Sequence, residues 1–482
     1  MILERSRRTD RVARGYCSVG VVGGKKDPAG AAAGNVPGPA LLSVPDRHRI
    51  RLLGGRECFE SMQNIYPASY PVSRKSVIPQ RAGHNDIRRN NLEVVLRHLA
   101  TVGPDSRAGI AARAGLTRAT VSRLVAELLA LGAVQETGRD GGGRAGRPST
   151  RLELGSDIVA IGTEVNVDYL SVLVIDLAGR EVLRERLAFD ASVGPEACIA
   201  ALAELCRGAR RRLASRRSRP APVVAGLTVA IPGLVDVAAG VVAEAPNLRW
   251  RDVAIARPLR RALRLGATPV HVGNDANLAA IAEYRSGSFA GTPNLVYITG
   301  EVGIGGGIIV GGQPLLGTRG YGGEVGHMNV MPDGPLCGCG RRGCWEACIG
   351  LNALLQSARQ RPRGDTPPER KIEPLVKRAR AEDASTLEVL AELGRWIGVG
   401  AANLANVFDP QVIILGGYFA DLGAWILPAA QGALEAGTLA GAGETPQLAT
   451  SALGFTAAAQ GGAIHAIERV MSDPTTLRAL AG

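Results

Sequence analysis

Three of the eight cysteines in this 482-residue chain fall within eight residues, and a histidine stands ten residues before the first of them. His327, Cys337, Cys339 and Cys344 form the pattern H-x9-C-x-C-x4-C. Four soft donors this close can converge only if the backbone doubles back between them, and Gly338, Gly340 and Gly343 give it the freedom to do so. One imidazole and three thiolates are the ligand set of a closed tetrahedral zinc site. No position is left open for water, so the spacing predicts a structural zinc ion rather than a catalytic one. The competing reading, buried free thiols, leaves the intervening glycines unexplained. Cys348, one helical turn further on, reads as a core thiol, and Cys17, Cys58, Cys198 and Cys206 have no ligand-like partners. A secreted disulfide framework would spread its cysteines through a shorter chain, so the clustering points to metal chemistry in a reducing cytoplasm.

The surroundings of this cluster read as α/β. Val- and Ile-rich segments begin at Ile158, Tyr169, Val224, Pro269, Asn294, Gly303 and Gln411, and several end in Gly or Asp. Helical patterns over Pro195 to Leu213, Leu278 to Tyr284, Leu387 to Val407 and Ala457 to Val470 separate some of them. No apolar run approaches the roughly 20 residues of a membrane helix. The basic N-terminus carries a twin arginine but lacks the ~7–15-residue apolar stretch of a signal peptide. Membrane insertion and export are therefore not expected, and the location expected is the cytoplasm, at the nucleoid.

Charge is unevenly placed. The formal net charge is +12. Residues 1–150 hold 24 Lys and Arg against 12 Asp and Glu, whereas residues 151–482 are balanced at 32 each. A basic head on a neutral body suits a polyanion such as DNA, because phosphate neutralisation is the main sequence-independent source of nucleic-acid affinity. Residues 1–80 alternate basic runs with Gly, Ala and Pro and read as a disordered, solvated extension, or as a mis-called one, since Met62 begins a plausible shorter chain.

Residues 81–155 read as a winged helix-turn-helix. Leu92, Val95, Leu96 and Leu99 form one helical face that stops at Gly103-Pro104, and a second short helix runs from about Ser106 to Arg113. After the turn Ala114-Gly115-Leu116, Thr117 caps a third helix whose apolar side holds Val121, Leu124, Val125, Leu128 and Leu129. Two strands, Ala133–Glu136 and Thr150–Leu154, flank a Gly- and Arg-rich wing. The solvent side of the third helix offers Thr117, Arg118, Thr120, Ser122 and Arg123. These are either an ordinary solvated face or a major-groove reader, and the wing and the charge segregation favour the reader. Arg144 and Arg147 in the wing either enter an adjacent minor groove or ride on a flexible loop.

From the helix-turn-helix to the C-terminus, about 395 residues, the chain resembles the ROK family of repressors, open reading frames and sugar kinases. The resemblance rests on GGEVGHMNV from Gly322 and CGCGRRGCWEACIG from Cys337. It implies an actin-like (ribonuclease H-like) two-lobed α/β domain over residues 156–482. With the winged helix ahead of it, the arrangement is that of the family's transcriptional regulators. The resemblance also implies a sugar pocket between the lobes, lined by Asn247, Asp275, Glu324, His327 and Glu346. Carboxylates and amides there would offer several acceptors to adjacent hydroxyls.

The family's kinases carry a first phosphate loop of the type D-x-G-G-T-K and a second resembling T-G-T-G-x-G-G-G. Thr163–Tyr169 lacks the glycines and threonine of the first, and Asp168 brings negative charge there. In the second, Glu301 occupies the small hydroxyl position. Both carboxylates repel phosphate, so no ATP is expected to bind and no enzyme activity is expected, although Asp275 matches the family's catalytic base. Gly416-Gly417 matches the adenosine-side turn and equally suits a strand end. The expectation is a zinc-containing, sugar-responsive regulator, a repressor of carbohydrate genes that binds operator DNA as a homodimer or homotetramer. The alternatives are a ROK-type sugar kinase with an appended DNA-binding head and an architectural DNA-binding protein with a vestigial pocket.

Overall fold

The apolar face of the first head helix, α1 (His84–Val102), is buried through Leu92, Val95, Leu96 and Leu99. Each such residue contributes about 1.5–3 kcal/mol by leaving water. The computed structural model describes residues 84–139, 150–215, 222–360, 368–440 and 443–480. The extension 1–80 with Met62, and the wing residues Arg144 and Arg147, lie outside the described residues. Strand β1 (Asp105–Ser106) leads into α2 (Arg107–Ala114) and α3 (Arg118–Ala130), and β2 (Val134–Arg139) and β3 (Thr150–Leu154) pair antiparallel. The sequence reading passed over β1, which pairs with β3 to give the order β1-β3-β2. Gly115 ends α2 in the left-handed region at φ 65°, which lets the chain turn sharply into α3.

The body is built from two sheets of one design. In the first, β4 (Ile158–Val165), β5 (Tyr169–Asp176) and β6 (Glu181–Ala188) form an antiparallel meander, followed by α4 (Pro195–Ser215) and the parallel strand β7 (Val223–Ile231). A small sheet of β8 (Leu234–Asp236), β9 (Val241–Ala245) and β10 (Trp250–Ala254) intervenes. Helix α5 (Ala256–Leu263) leads to β11 (Val270–Asn274), and the sheet order is β11-β7-β4-β5-β6. Alternate residues of β4 enter different cores. Val159 and Ile161 meet α4, and Ile158 and Ala160 face the opposite layer, which explains why the strand is buried throughout.

Helix α6 (Asp275–Ser286) passes to the second sheet. There β12 (Leu295–Gly300), β13 (Ile304–Val310) and β14 (Gln313–Pro314) repeat the meander. Helices α7 (Trp345–Ile349), α8 (Leu351–Ser357), α9 (Pro368–Arg380) and α10 (Ala384–Phe408) precede β15 (Val412–Gly417). Helix α11 (Tyr418–Gly437) then leads to β16 (Gln447–Thr450), and the order β14-β13-β12-β15-β16 repeats that of the first sheet. Helix α12 (Ala457–Ser472) returns to the first sheet and packs on β4 and β7, and α13 (Leu477–Leu480) follows. Head and body share one apolar core, in which Leu92 and Val95 join Ile467, Val470, Met471 and Leu477. Among the described residues no helix is long and apolar enough to cross a membrane.

Candidate functional site

The cysteine loop closes as its glycines allow. Gly340 and Gly343 lie at φ 85° and 72°, and a Cβ on Gly343 would stand 1.7 Å from the Met331 carbonyl oxygen. Cys337 N–H donates to Arg341 O at 2.8 Å, and Leu336 bridges Arg342 across the turn. His327 ends a short 3-10 turn, Val325–His327. The donor atoms of His327, Cys337, Cys339 and Cys344 lie within 4.8 Å of one another, with Cys337 Sγ 3.8 Å from His327 Nδ1 and Cys339 Sγ 3.6 Å from Cys344 Sγ. Three sulfurs and an imidazole nitrogen converging in this way fit a zinc ion. Burial pushes the Cys337 thiol up to about 12. For Cys339 burial is the largest single effect and raises it, but hydrogen bonds from Arg341, Cys337 and Cys344 together outweigh burial and bring the thiol down to about 7, nearer the thiolate that a metal requires. Cys348 is only partly buried against the second lobe's core, and Cys198 and Cys206 are buried.

The polar cleft begins where the metal loop ends. Glu346, on the first turn of α7, accepts from Ile304 N–H at 2.9 Å through Oε2, while its Oε1 lies 3.5 Å from Cys337 Sγ. A side chain on Gly303 would meet Glu346 Oε2 at 2.5 Å and Asn247 Nδ2 at 3.1 Å, so glycine is what lets these two groups approach. Asp275 opens α6, and its Oδ1 accepts from Ala276 N–H at 2.8 Å. The side chain of Asn274 caps that helix and donates to Gly233 O, and Asn277 donates to Gly322 O, two residues before Glu324. Burial pushes Asp275 up to about 6. Glu324 is exposed by surface, yet desolvation at the cleft wall, followed by repulsion from Asp275 and Glu346, pushes it up to about 7. Glu324 thus lies near Asp275 and Glu346, Asn247 stands beside Glu346 across Gly303, and His327 neighbours Cys337, which in turn neighbours Glu346.

The sequence reading missed Glu164. Fully buried in β4, it accepts from Tyr169 Oη at 2.6 Å, and burial together with Asp275 pushes it up to about 7. A lone carboxylate in the otherwise apolar run IVAIGTEV was the available signal. Asn166, in the turn between β4 and β5, donates through Nδ2 to Glu301 on the loop after β12, and this bond ties the two lobes together. The two loops that stand where the family's kinases carry phosphate loops therefore meet through their own side chains.

On the head, Thr117 caps α3, its Oγ1 accepting from Thr120 N–H at 3.1 Å and lying 2.9 Å from Thr120 Oγ1. These two hydroxyls serve the helix first. Arg118, Ser122 and Arg123 are exposed, and Arg118 and Arg123 form no ion pair among the described residues. Arg88, Arg97, Arg107 and Arg113, by contrast, are all matched to acidic side chains.

The ROK family model matches residues 160–469, and that of the MarR family matches residues 94–145. The xylose repressor of Bacillus spizizenii is 28% identical over 387 residues, covering 80% of this chain and 97% of the repressor. The glucokinase of Streptomyces coelicolor is 33% identical over 284 residues, covering 56% of this chain and 84% of the kinase. A solved ROK family transcriptional regulator, described as a homolog of the E. coli MLC protein, superposes with TM-score 0.68 at 24% identity, covering 82% of this chain and all of that one.

Proposed function

The chain belongs to the ROK family, and from that premise, with a MarR-type winged helix ahead of the ROK domain, we propose that it is a DNA-binding repressor of carbohydrate genes whose operator affinity answers to a sugar. Residues 81–155 read the operator through Arg118, Ser122 and Arg123, with Thr117 and Thr120 at the helix start and Arg144 and Arg147 from the wing. Residues 156–482 hold the effector, a monosaccharide or sugar derivative, through Asn247, Asp275, Glu324, His327 and Glu346. The protein acts in the cytoplasm as a homodimer or homotetramer, the symmetry that paired operator half-sites call for. Likeness to the xylose repressor runs through head and body, whereas the match to the glucokinase spans little more than half of the chain.

His327, Cys337, Cys339 and Cys344 would hold a zinc ion. When bound, it supplies folding free energy by tying the loop to itself. With His327 Nδ1 facing the sulfurs, Nε2 is left to donate to a sugar hydroxyl, so the metal loop and the cleft share a residue.

The observation that carries a sensor over a kinase is the bond between Asn166 and Glu301. Side chains from both lobes meet where a kinase needs bare backbone amides for phosphate, and Glu301 adds charge of the wrong sign. Asp275 remains, and without a bound phosphoryl donor a lone carboxylate serves to hold a hydroxyl. To test the reading, the full chain is used to select duplexes from random DNA, and the selected duplex is titrated with and without D-xylose or D-glucose. Selective binding that shifts with a sugar is expected, with no ATP-dependent phosphorylation of either. Phosphorylation would favour the kinase, and failure to select any sequence would remove the DNA-binding reading.

A further inference from the structure

Helix α6 starts in the cleft at Asp275 and ends beside the head. Near its end Arg285 NH2 lies 3.0 Å from Glu468 Oε1 on α12, and Arg97 NH2 of head helix α1 lies 3.0 Å from Glu468 Oε2. One carboxylate therefore joins the helix that carries a pocket residue to the helix that carries the head. Glu468 is largely buried, its side chain 14% exposed, and Arg97 is further held by Glu93 at 2.7 Å.

The packing around α12 leaves little slack. A Cβ on Gly461 would stand 1.7 Å from Leu278 O of α6, and one on Gly162 of β4 would stand 1.7 Å from Ala459 O of α12. Backbone therefore meets backbone on two sides of α12, with no side chain between to absorb a shift. Beyond α12, Arg478 of α13 lies 2.9 Å from Glu127 Oε1 on α3, and Arg88 of α1 lies 2.7 Å from the same oxygen. Contacts thus run from α6 to α12, and from α12 and α13 to both α1 and α3.

We propose that Glu468 is the positioning residue through which the sugar cleft sets the orientation of the DNA-reading head, by bridging Arg285 and Arg97. The proposal rests on the sensor reading above. A sugar that draws α6 toward the cleft changes the Arg285–Glu468 contact, and Arg97 must follow or give up Glu468. The head then has two arrangements of different operator affinity, and a two-state element of this kind is what coupling between distant sites requires.

The test uses the full chain, the duplex selected with it, and D-xylose or D-glucose, whichever shifts the wild type. The wild-type coupling factor, the ratio of operator affinities with and without sugar, is expected in the range of about 5–150. Glu468→Gln should bring it close to 1, while sugar affinity and sugar-free operator affinity each stay within about threefold. Arg285→Met should do the same, and Arg285→Lys should restore most of the response. These substitutions at the end of α6 keep the test decisive should Glu468→Gln fold poorly. A coupling factor unchanged in Glu468→Gln and Arg285→Met overturns the proposal. So does a loss of operator affinity with the factor intact, since Glu468 then merely holds the head. A wild type that no sugar shifts overturns the sensor reading itself and this inference with it.

Discussion

Cys339 shows how far a single side chain is set by its neighbours. Arg341, two residues away, eases its ionisation, while its sulfur lies 3.6 Å from that of Cys344. Cys339→Ser should therefore lower both metal content and thermal stability, measured by metal analysis and calorimetry on the same sample, because a structural ion contributes folding free energy directly. Full occupancy in the triple substitution of Cys337, Cys339 and Cys344 would exclude the site. The cleft carboxylates give a second prediction. Glu164 at about 7 and Asp275 at about 6 stay protonated in the folded chain at pH values where the same groups in the unfolded chain have ionised. The folded state then binds more protons, so the stability they contribute is present at acid pH and lost as pH rises through both values. Relative to Glu164→Gln, the sugar-free wild type should lose stability between about pH 5 and about pH 7.5, read from the denaturant midpoints of the two proteins. The His and Cys cluster that could hold a metal was legible in the sequence because its spacing is local. Glu164 was passed over because its meaning depends on Asp275, which reaches it only through the pairing of β4, β7 and β11.

Among the elements, α3 carries the sharpest expectations. Thr117→Ala removes the cap at its start and should cost about 0.5–2 kcal/mol of head stability, read by chemical denaturation. Arg118→Ala should leave stability nearly unchanged, since the side chain is exposed and forms no ion pair among the described residues. Its effect belongs to DNA, about 1–3 kcal/mol of discrimination if it reaches a base edge, with equal losses on selected and random duplexes if it only touches phosphate. Helices with one apolar face, such as α1, α3 and α10, were legible from periodicity. Helix α11 was not, because Pro428 interrupts its interior and burial of Tyr418, Phe419, Leu422, Ile426, Ala430 and Leu434 is mixed with glycines. The strands β8, β9 and β10 are three to five residues long, too short for an alternating pattern to declare itself.

At the scale of the whole molecule, the repeated sheet order is what places the cleft. Each sheet ends its first parallel strand beside the other, so Asn166 and Glu301, 135 residues apart, can bond. No local pattern reveals such a pairing, which explains why the lobes were legible only through resemblance. The same distance makes linkage the strictest check on function. If sugar in the cleft changes operator affinity by a given factor, the operator must change sugar affinity by that factor, whatever path connects the sites. Calorimetric titration of sugar into the protein alone and into its complex with the selected duplex should give two affinities whose ratio equals the shift in DNA binding. Asp275→Asn should weaken sugar binding in both titrations while leaving sugar-free operator affinity intact. Equal affinities in the two wild-type titrations would mean that cleft and head share a chain without sharing a function.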